Sequence, residues 1–289
     1  MSFAYSLVTS RNKVDELVLI DINKDKAEGE ALDLMHASTY NPNKIAIKAG
    51  GYKECSNADI VVICAGASQK VGETRRDLIN KNAKVFESII GEISKTSFNG
   101  IYLVATNPLD VMTYLTYKLS GFPSNRVIGS GTVLDTARLR CLISEELNIS
   151  ASNVHAYVIG EHGDSEFVPW SNAMIGLNKA KKYLNANQRS KIQYDVRNSA
   201  YDIINKKGNT CYGIGMCLLY IVNAILENSN EILTVSAYNE ENDVYFGKPT
   251  VLNRDGVKES PFIELSKEEC DRLASSIEQI KQTIKEIKL

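Results

Sequence analysis

Uniform apolar runs recur along the first half of the chain, each followed by a stretch of helical periodicity. Leu17-Val18-Leu19-Ile20-Asp21 reads as a buried strand ending in an acid, and a helix is expected from about Lys24 to His36. Ile60-Val61-Val62-Ile63-Cys64 is a second strand, ending in Ala65-Gly66-Ala67, with a helix over roughly Asp77 to Ser94. Ile101-Tyr102-Leu103-Val104-Ala105 is a third, ending in Thr106-Asn107-Pro108, and Arg126-Val127-Ile128-Gly129 is shorter. Strands without alternation are apolar on both faces, so helices must cover both sides of a parallel sheet. Ligands bind such sheets beyond the carboxyl ends of the strands, so the polar residues past Cys64, Ala105 and Ile128 share one edge.

The C-terminal part has a different rhythm. Leu233, Val235 and Ala237 alternate with Thr234, Ser236 and Tyr238, which predicts one half-exposed antiparallel strand. Val244-Tyr245-Phe246 and Pro249-Thr250-Val251-Leu252 continue a meander, with a turn at Arg254-Asp255-Gly256, and a charged helix starts near Lys267. No repeat, low-complexity segment or flexible linker interrupts the chain. The expected division is residues 1–130 and residues 131–289, with a soft boundary.

Charge and cysteine content narrow the function. Thirty-three basic and 35 acidic residues leave a net charge of -2, which opposes a nucleic-acid binder working through a broad basic surface. Apolar runs are too short to cross a membrane, and the first residues carry no signal-peptide pattern, so the cytoplasm is expected. The six cysteines form no C-x-x-C pair, which excludes a zinc ribbon and suits a reducing compartment. The only histidines are His36, His155 and His162, so an imidazole-dependent chemistry has few candidates.

Four groups of residues stand out. Asp21, at a strand end, suits the two ribose hydroxyls of an adenosine, or serves as a turn residue or helix cap. In Gly160-Glu161-His162-Gly163-Asp164 a histidine between glycines and carboxylates makes a good mobile acid-base group, with a satisfied loop histidine as the alternative. Asp135 and Arg138 share a helix face; one could orient a histidine while the other clamps a carboxylate, or both could form a surface ion pair. Gln69 to Arg75 is a polar, glycine-containing loop beside the binding edge, either a lid carrying an arginine or a solvated connection. Arg140 lies about 200° around the helix from Arg138, so the two cannot serve one ligand.

These segments occur in a fixed order together with Ala105-Thr106-Asn107-Pro108, Gly129-Ser130-Gly131-Thr132-Val133-Leu134-Asp135-Thr136-Ala137-Arg138 and Lys207-Gly208-Asn209-Thr210. The whole chain thereby resembles the bacterial-type L-lactate dehydrogenases of the lactate/malate dehydrogenase superfamily. The resemblance implies an α/β fold, with a Rossmann-type parallel sheet binding NAD and then a mixed α+β substrate domain with antiparallel strands. It implies that His162 exchanges the proton, Asp135 holds its ring, Arg138 binds the substrate carboxylate and Arg75 polarises the carbonyl. Gln69, Asn107 and Thr210 would complete the substrate site for pyruvate or L-lactate. Asp21, Lys26, Tyr52, Gly66, Ala67, Ala105, Thr106, Asn107 and Ser130 would hold the cofactor. Arg140 and His155 would form an allosteric site for fructose 1,6-bisphosphate, and a homotetramer is implied. No metal is implied.

The same resemblance exposes departures. The family opens with a strand and G-x-G-x-x-G before a helix; here Ser2 to Ser10 already reads as that helix, and no G-x-G-x-x-G occurs in the chain. The first sheet strand is therefore expected to be missing, leaving either a gap between the Leu17 and Ile60 strands or a closure of the two. Cofactor binding should be weaker without a glycine turn at the pyrophosphate. Malate dehydrogenase is the nearest alternative, opposed by the neutral Gln69 where an arginine would pair a second carboxylate. A non-catalytic relative is the alternative from another class.

Overall fold

The computed structural model describes residues 1–41, 44–67 and 75–287, the side chain of Arg75 excepted. The order begins α1 (Ser2–Thr9), β1 (Glu16–Leu19), α2 (Lys24–Ser38), β2 (Ala46–Ala49), β3 (Ile60–Ile63), α3 (Arg75–Ile93), β4 (Ile101–Val104), α4 (Leu109–Ser120), β5 (Val127–Gly129) and α5 (Val133–Leu147). It continues with β6 (Val154–His155), β7 (Met174–Ile175), β8 (Asn178–Lys179), α6 (Ala186–Lys207) and α7 (Tyr212–Leu226). The chain closes with β9 (Glu231–Leu233), β10 (Ser236–Asn239), β11 (Val244–Gly247), β12 (Thr250–Asn253), β13 (Gly256–Glu259) and α8 (Lys267–Lys285).

The main sheet runs β11-β10-β5-β4-β3, with β3, β4 and β5 parallel and β10 antiparallel to both β5 and β11. The expected uniform burial holds at its centre. In β4, Ile101 and Leu103 enter one core cluster while Tyr102 and Val104 enter the other. That is the period-two alternation of a strand with both faces covered. Helices α3, α4 and α8 supply one face and α7 the other. Thr113 and Thr116 are buried in α4 because each hydroxyl donates to the carbonyl four residues back.

Between β1 and β3 the expected gap is present. Among the described residues β1 pairs in parallel only with β2, in a separate two-stranded sheet, and no ladder joins it to β3. Both strands bordering the gap are only half-buried over most of their length. Strand β2 went unforeseen: Ala46-Ile47-Lys48-Ala49 is short, and its exposure alternates.

The half-exposed strand expected from Leu233 to Tyr238 is corrected. It breaks into β9, which joins β12 and β13, and β10, which joins the main sheet. Its polar members are not exposed either: Thr234 and Ser236 are 2% and 0% accessible. A buried hydroxyl needs a partner, and both have one near the carboxyl edge. The helix from Lys267 forms as expected, its start closed by a reciprocal Ser266–Glu269 capping box.

Candidate active site

Gly131 turns the chain from β5 into α5. It has φ of +57°, and a Cβ there would lie 2.3 Å from the Ser236 amide nitrogen. Only glycine allows that backbone approach. Hydroxyls then fasten the turn. Thr132 Oγ1 donates to the Val158 carbonyl at 2.6 Å, and Thr136 Oγ1 accepts from the Val158 N–H at 2.9 Å and pairs with Thr234 Oγ1 at 2.9 Å. The first turn of α5 is thus bound to the segment that leads into Gly160 and His162.

This packing brings three of the expected residues together. Asp135 Oδ2 lies 2.7 Å from His162 Nδ1, and Asp135 Oδ1 accepts from Arg138 Nη1 at 2.7 Å. The Asp135 side chain is 3% accessible, Arg138 12% and His162 25%, so the imidazole opens outward from a buried carboxylate. The His162 backbone N–H donates to Asp110 Oδ2 at 2.8 Å, and Asp110 Oδ1 accepts from Ser236 at 2.5 Å.

Charge follows geometry. Burial opposes a charged His162, but the field and hydrogen bond of Asp135, with Glu166 and Asp110, outweigh it and push the imidazole up to about 9. Burial likewise opposes ionisation of Asp135, yet His162 and Arg138 hold it below the usual carboxylate range. Burial raises Asp110 to about 6 against its two donors. Glu166, also buried, is raised to about 9 by desolvation and the adjacent Asp135 charge. Ligand atoms of Asp135, His162 and Glu166 all lie within 4.8 Å of one another.

The carboxyl ends of β3 and β4 are fastened to each other, and the helix that follows β4 carries Asp110 to the His162 N–H. Thr106 Oγ1 donates to the Ala65 carbonyl at 2.8 Å, and Asn82 bridges the two ends, accepting from the Ala67 N–H and donating to the Asn107 carbonyl, both at 2.8 Å. The Asn107–Pro108 peptide is cis. Ser130 is buried and its N–H donates to the Val104 carbonyl. Ala65, Gly66 and Ala67 are exposed, and a Cβ on Gly66 would meet Thr106 Cγ2 at 2.7 Å. Asp21 lies exposed just past β1, one carboxylate oxygen accepting from the Asn23 N–H. An exposed backbone past β3 and an exposed acid past β1 suit the nicotinamide and adenosine halves of a dinucleotide. Lys26 is exposed on α2, and Tyr52 packs its ring against the main core.

The remaining expected residues divide. Arg140 points away from Arg138: its Nε donates to the Ala156 carbonyl at 3.2 Å and its guanidinium sits 5.1 Å over the Tyr157 ring. His155 is exposed on β6, next to that carbonyl in sequence. Thr210 is half-buried just before α7. Gln69 and the rest of 68–74 lie outside the described residues, as does the side chain of Arg75.

Residues 1–129 match the family described as lactate/malate dehydrogenase, NAD binding domain, and residues 132–289 match its alpha/beta C-terminal domain. The chain belongs to the lactate/malate dehydrogenase family. It is 48% identical over 293 residues to an L-lactate dehydrogenase 2 of Bacillus cereus, covering 98% of this chain and 93% of that one. A lactate dehydrogenase from a Medee basin deep-sea metagenome library superposes with a TM-score of 0.95 at 46% identity, covering 99% of this chain and 94% of that chain. The ligand-bound minor L-lactate dehydrogenase of Enterococcus mundtii gives 0.94 at 38% identity, over 100% and 95%. As a family member the chain is an oxidoreductase with NAD(H) as its cofactor.

Sequence reasoning missed Asp110, Asn82, Glu166 and Ser236. Asp110 carries a weak signal, an acid two residues after Pro108 in a helix that is otherwise apolar at its start. The others carry none, because a polar residue in a helix (Asn82), a strand (Ser236) or a loop (Glu166) looks solvent-facing until its partner is known.

Proposed function

We propose that the chain catalyses the reversible NADH-dependent reduction of pyruvate to L-lactate. The observation that carries this is the buried Asp135 carboxylate shared between the His162 ring and Arg138. Bound NADH supplies the hydride. His162, protonated at neutral pH, donates its proton from the ring nitrogen not engaged by Asp135 to the carbonyl oxygen. In the reverse direction the neutral ring takes the proton from the lactate hydroxyl. Asp135 keeps the tautomer and orientation fixed and stabilises the imidazolium. Arg138 binds the substrate carboxylate through its guanidinium fork. Asn107 and Thr210 complete the pocket, and Arg75 polarises the carbonyl.

Gln69 favours pyruvate over oxaloacetate, because a second carboxylate would be left unpaired in a closed site. The test is kcat/KM for the two 2-oxo acids with NADH in excess. A larger value for oxaloacetate overturns the assignment. A folded chain that binds pyruvate analogues but never turns over would make it a non-catalytic relative.

The dinucleotide-binding unit would be residues 1–130 and the substrate unit residues 131–289. No helix among the described residues is long and apolar enough to cross a membrane, and we place the enzyme in the cytoplasm as a homotetramer. Fructose 1,6-bisphosphate would bind at Arg140 and His155, on the side of α5 away from Arg138. A flat activation curve with this effector, at neutral and slightly alkaline pH, removes that part of the reading.

A further inference from the structure

Two consecutive backbone N–H groups of the histidine loop are held by side chains from different helices. The Glu161 N–H donates to Ser276 Oγ on α8, and the His162 N–H donates to Asp110 Oδ2 on α4. The first grip is closed on itself. Ser165 donates to the Glu161 carboxylate and lies 3.0 Å from Ser276 Oγ, which completes a ring of hydrogen bonds. The second grip depends on an acid. Asp110 is 2% accessible, and among the described residues no lysine or arginine pairs with it. Its other oxygen accepts from Ser236, which is fully buried.

Both partners of Asp110 donate, so the place fits an anion. A proton on Oδ2 would meet the His162 N–H head-on. A proton on Oδ1 would force the Ser236 hydroxyl to accept, and its own hydrogen would need another acceptor where water does not reach. Asp110 also lies in the first turn of α4, where the helix dipole favours negative charge. Among the described residues the charges that act on it come from the loop: His162 lowers its proton affinity and Glu161 raises it. Strands β4, β5, β10 and β11 carry tyrosines but no charged residue. Helices α3 and α8 meet α4 through Phe86, Ile90, Ile277 and Ile280, and Lys118, two turns along α4, pairs with Asp243. Burial still raises Asp110 to about 6. That lies above its ordinary value, so ionising Asp110 costs stability as pH rises through it. An asparagine would make the same two contacts, with Ser236 accepting, and carry no such cost.

We propose that Asp110 is a positioning residue for the proton-transfer step, gripping His162 through its backbone and doing so fully only as the anion. Asp135 holds the ring at Nδ1 and Asp110 holds the main chain of the same residue, so His162 has a carboxylate at each end. The two anions also act together on charge, since Asp110, like Asp135, favours the imidazolium. When Asp110 takes up a proton, the His162 N–H loses a charge-assisted bond and the ring loses one of its fixed points. Turnover should therefore fall on the acid side of neutrality although His162 stays protonated there. This inference rests on the reading of His162 as the proton donor to pyruvate.

The test compares the whole wild-type chain with Asp110→Asn, which keeps the shape and both contacts. Wild type should exceed the variant in kcat for pyruvate reduction about tenfold near pH 7.5, and the two should converge by about pH 5. KM for pyruvate should change less than about twofold, with circular dichroism unchanged at each pH. A ratio that is the same at every pH overturns the proposal, because the loss of a merely structural contact has no reason to vanish in acid. Ser236→Ala removes a hydrogen bond to the anion and should move the acid limb of the otherwise wild-type chain up by about one unit. An unmoved limb overturns the proposal as well. NMR titration of the isotope-labelled His162 ring needs no turnover, and its midpoint should fall by roughly half a unit in Asp110→Asn. If wild type does not reduce pyruvate, the reaction assignment fails on its own and the ring titration decides the grip. A lowered midpoint then sustains the coupling of Asp110 to His162, and an unchanged one ends it.

Discussion

The first turn of α5 and the end of β1 each follow the carboxyl end of a parallel strand but are built to different standards. Around α5, Gly131 allows two backbones to touch, and Thr132, Thr136, Thr234, Ser236 and Asp110 satisfy one another inside the protein. Every polar group that aims His162 is itself held. At β1 the ladder is complete on one side only, and Asp21 is exposed with a single local hydrogen bond. Buried and fully satisfied networks fix a geometry because any displacement leaves a polar group without a partner. A half-paired edge resists displacement much less. Acid-base chemistry needs the first kind of precision, whereas holding a ribose tolerates the second.

The largest effect should come from the cluster itself. His162→Asn should lower kcat/KM for pyruvate by roughly 100- to 10,000-fold with unchanged circular dichroism. A loss below tenfold would mean that proton transfer runs elsewhere. Gly131→Ala should destabilise by about 2–4 kcal/mol in urea unfolding, from strain at positive φ plus the contact with the Ser236 amide. At the looser edge, Asp21→Ala should raise KM for NADH by about ten- to a hundredfold while leaving kcat near the wild-type value. A fall in kcat instead would show that β1 and the catalytic cluster are coupled, which erases the contrast between the regions.

Proton affinity sharpens the contrast further. His162 is raised to about 9, so pyruvate reduction should hold through neutral pH and decline as pH rises through that value, while lactate oxidation should increase over the same range. Glu166 is raised to about 9 as well, and its ionised form favours the imidazolium. Glu166→Gln cannot ionise. Its alkaline limb should therefore fall at lower pH than in the wild type, with kcat/KM at pH 7 little changed. An unmoved limb would remove Glu166 from the proton inventory. The smallest effect is a gain: Gly29 lies inside α2 with nothing within 4 Å of a Cβ, so Gly29→Ala should stabilise by about 0.5–1 kcal/mol.

Much of this arrangement was legible before any coordinates. Unalternating apolar runs predicted β1, β3, β4 and β5, and the three-residue spacing of Asp135 and Arg138 put them on one face of α5. The two-residue step from Arg138 turned Arg140 away from it, and Arg140 Nε instead donates to the Ala156 carbonyl. Local periodicity is enough for such statements because each concerns neighbours along one helix or strand.

What the sequence could not settle was pairing across distance. Alternation from Leu233 to Tyr238 suggested one half-exposed strand, but Thr234 and Ser236 are buried because α5 and α4 bring Thr132, Thr136 and Asp110 to them from about a hundred residues away. Asn82 looks like any polar helix residue until the ends of β3 and β4 converge on its amide. Glu166 becomes a buried acid only when the chain folds it against Asp135 and His162. The order of residue types along the chain determines which elements form and which face of each is apolar. Which polar groups are desolvated, and hence which are held, charged or neutral, is decided by contacts that exist only after the tertiary fold excludes water.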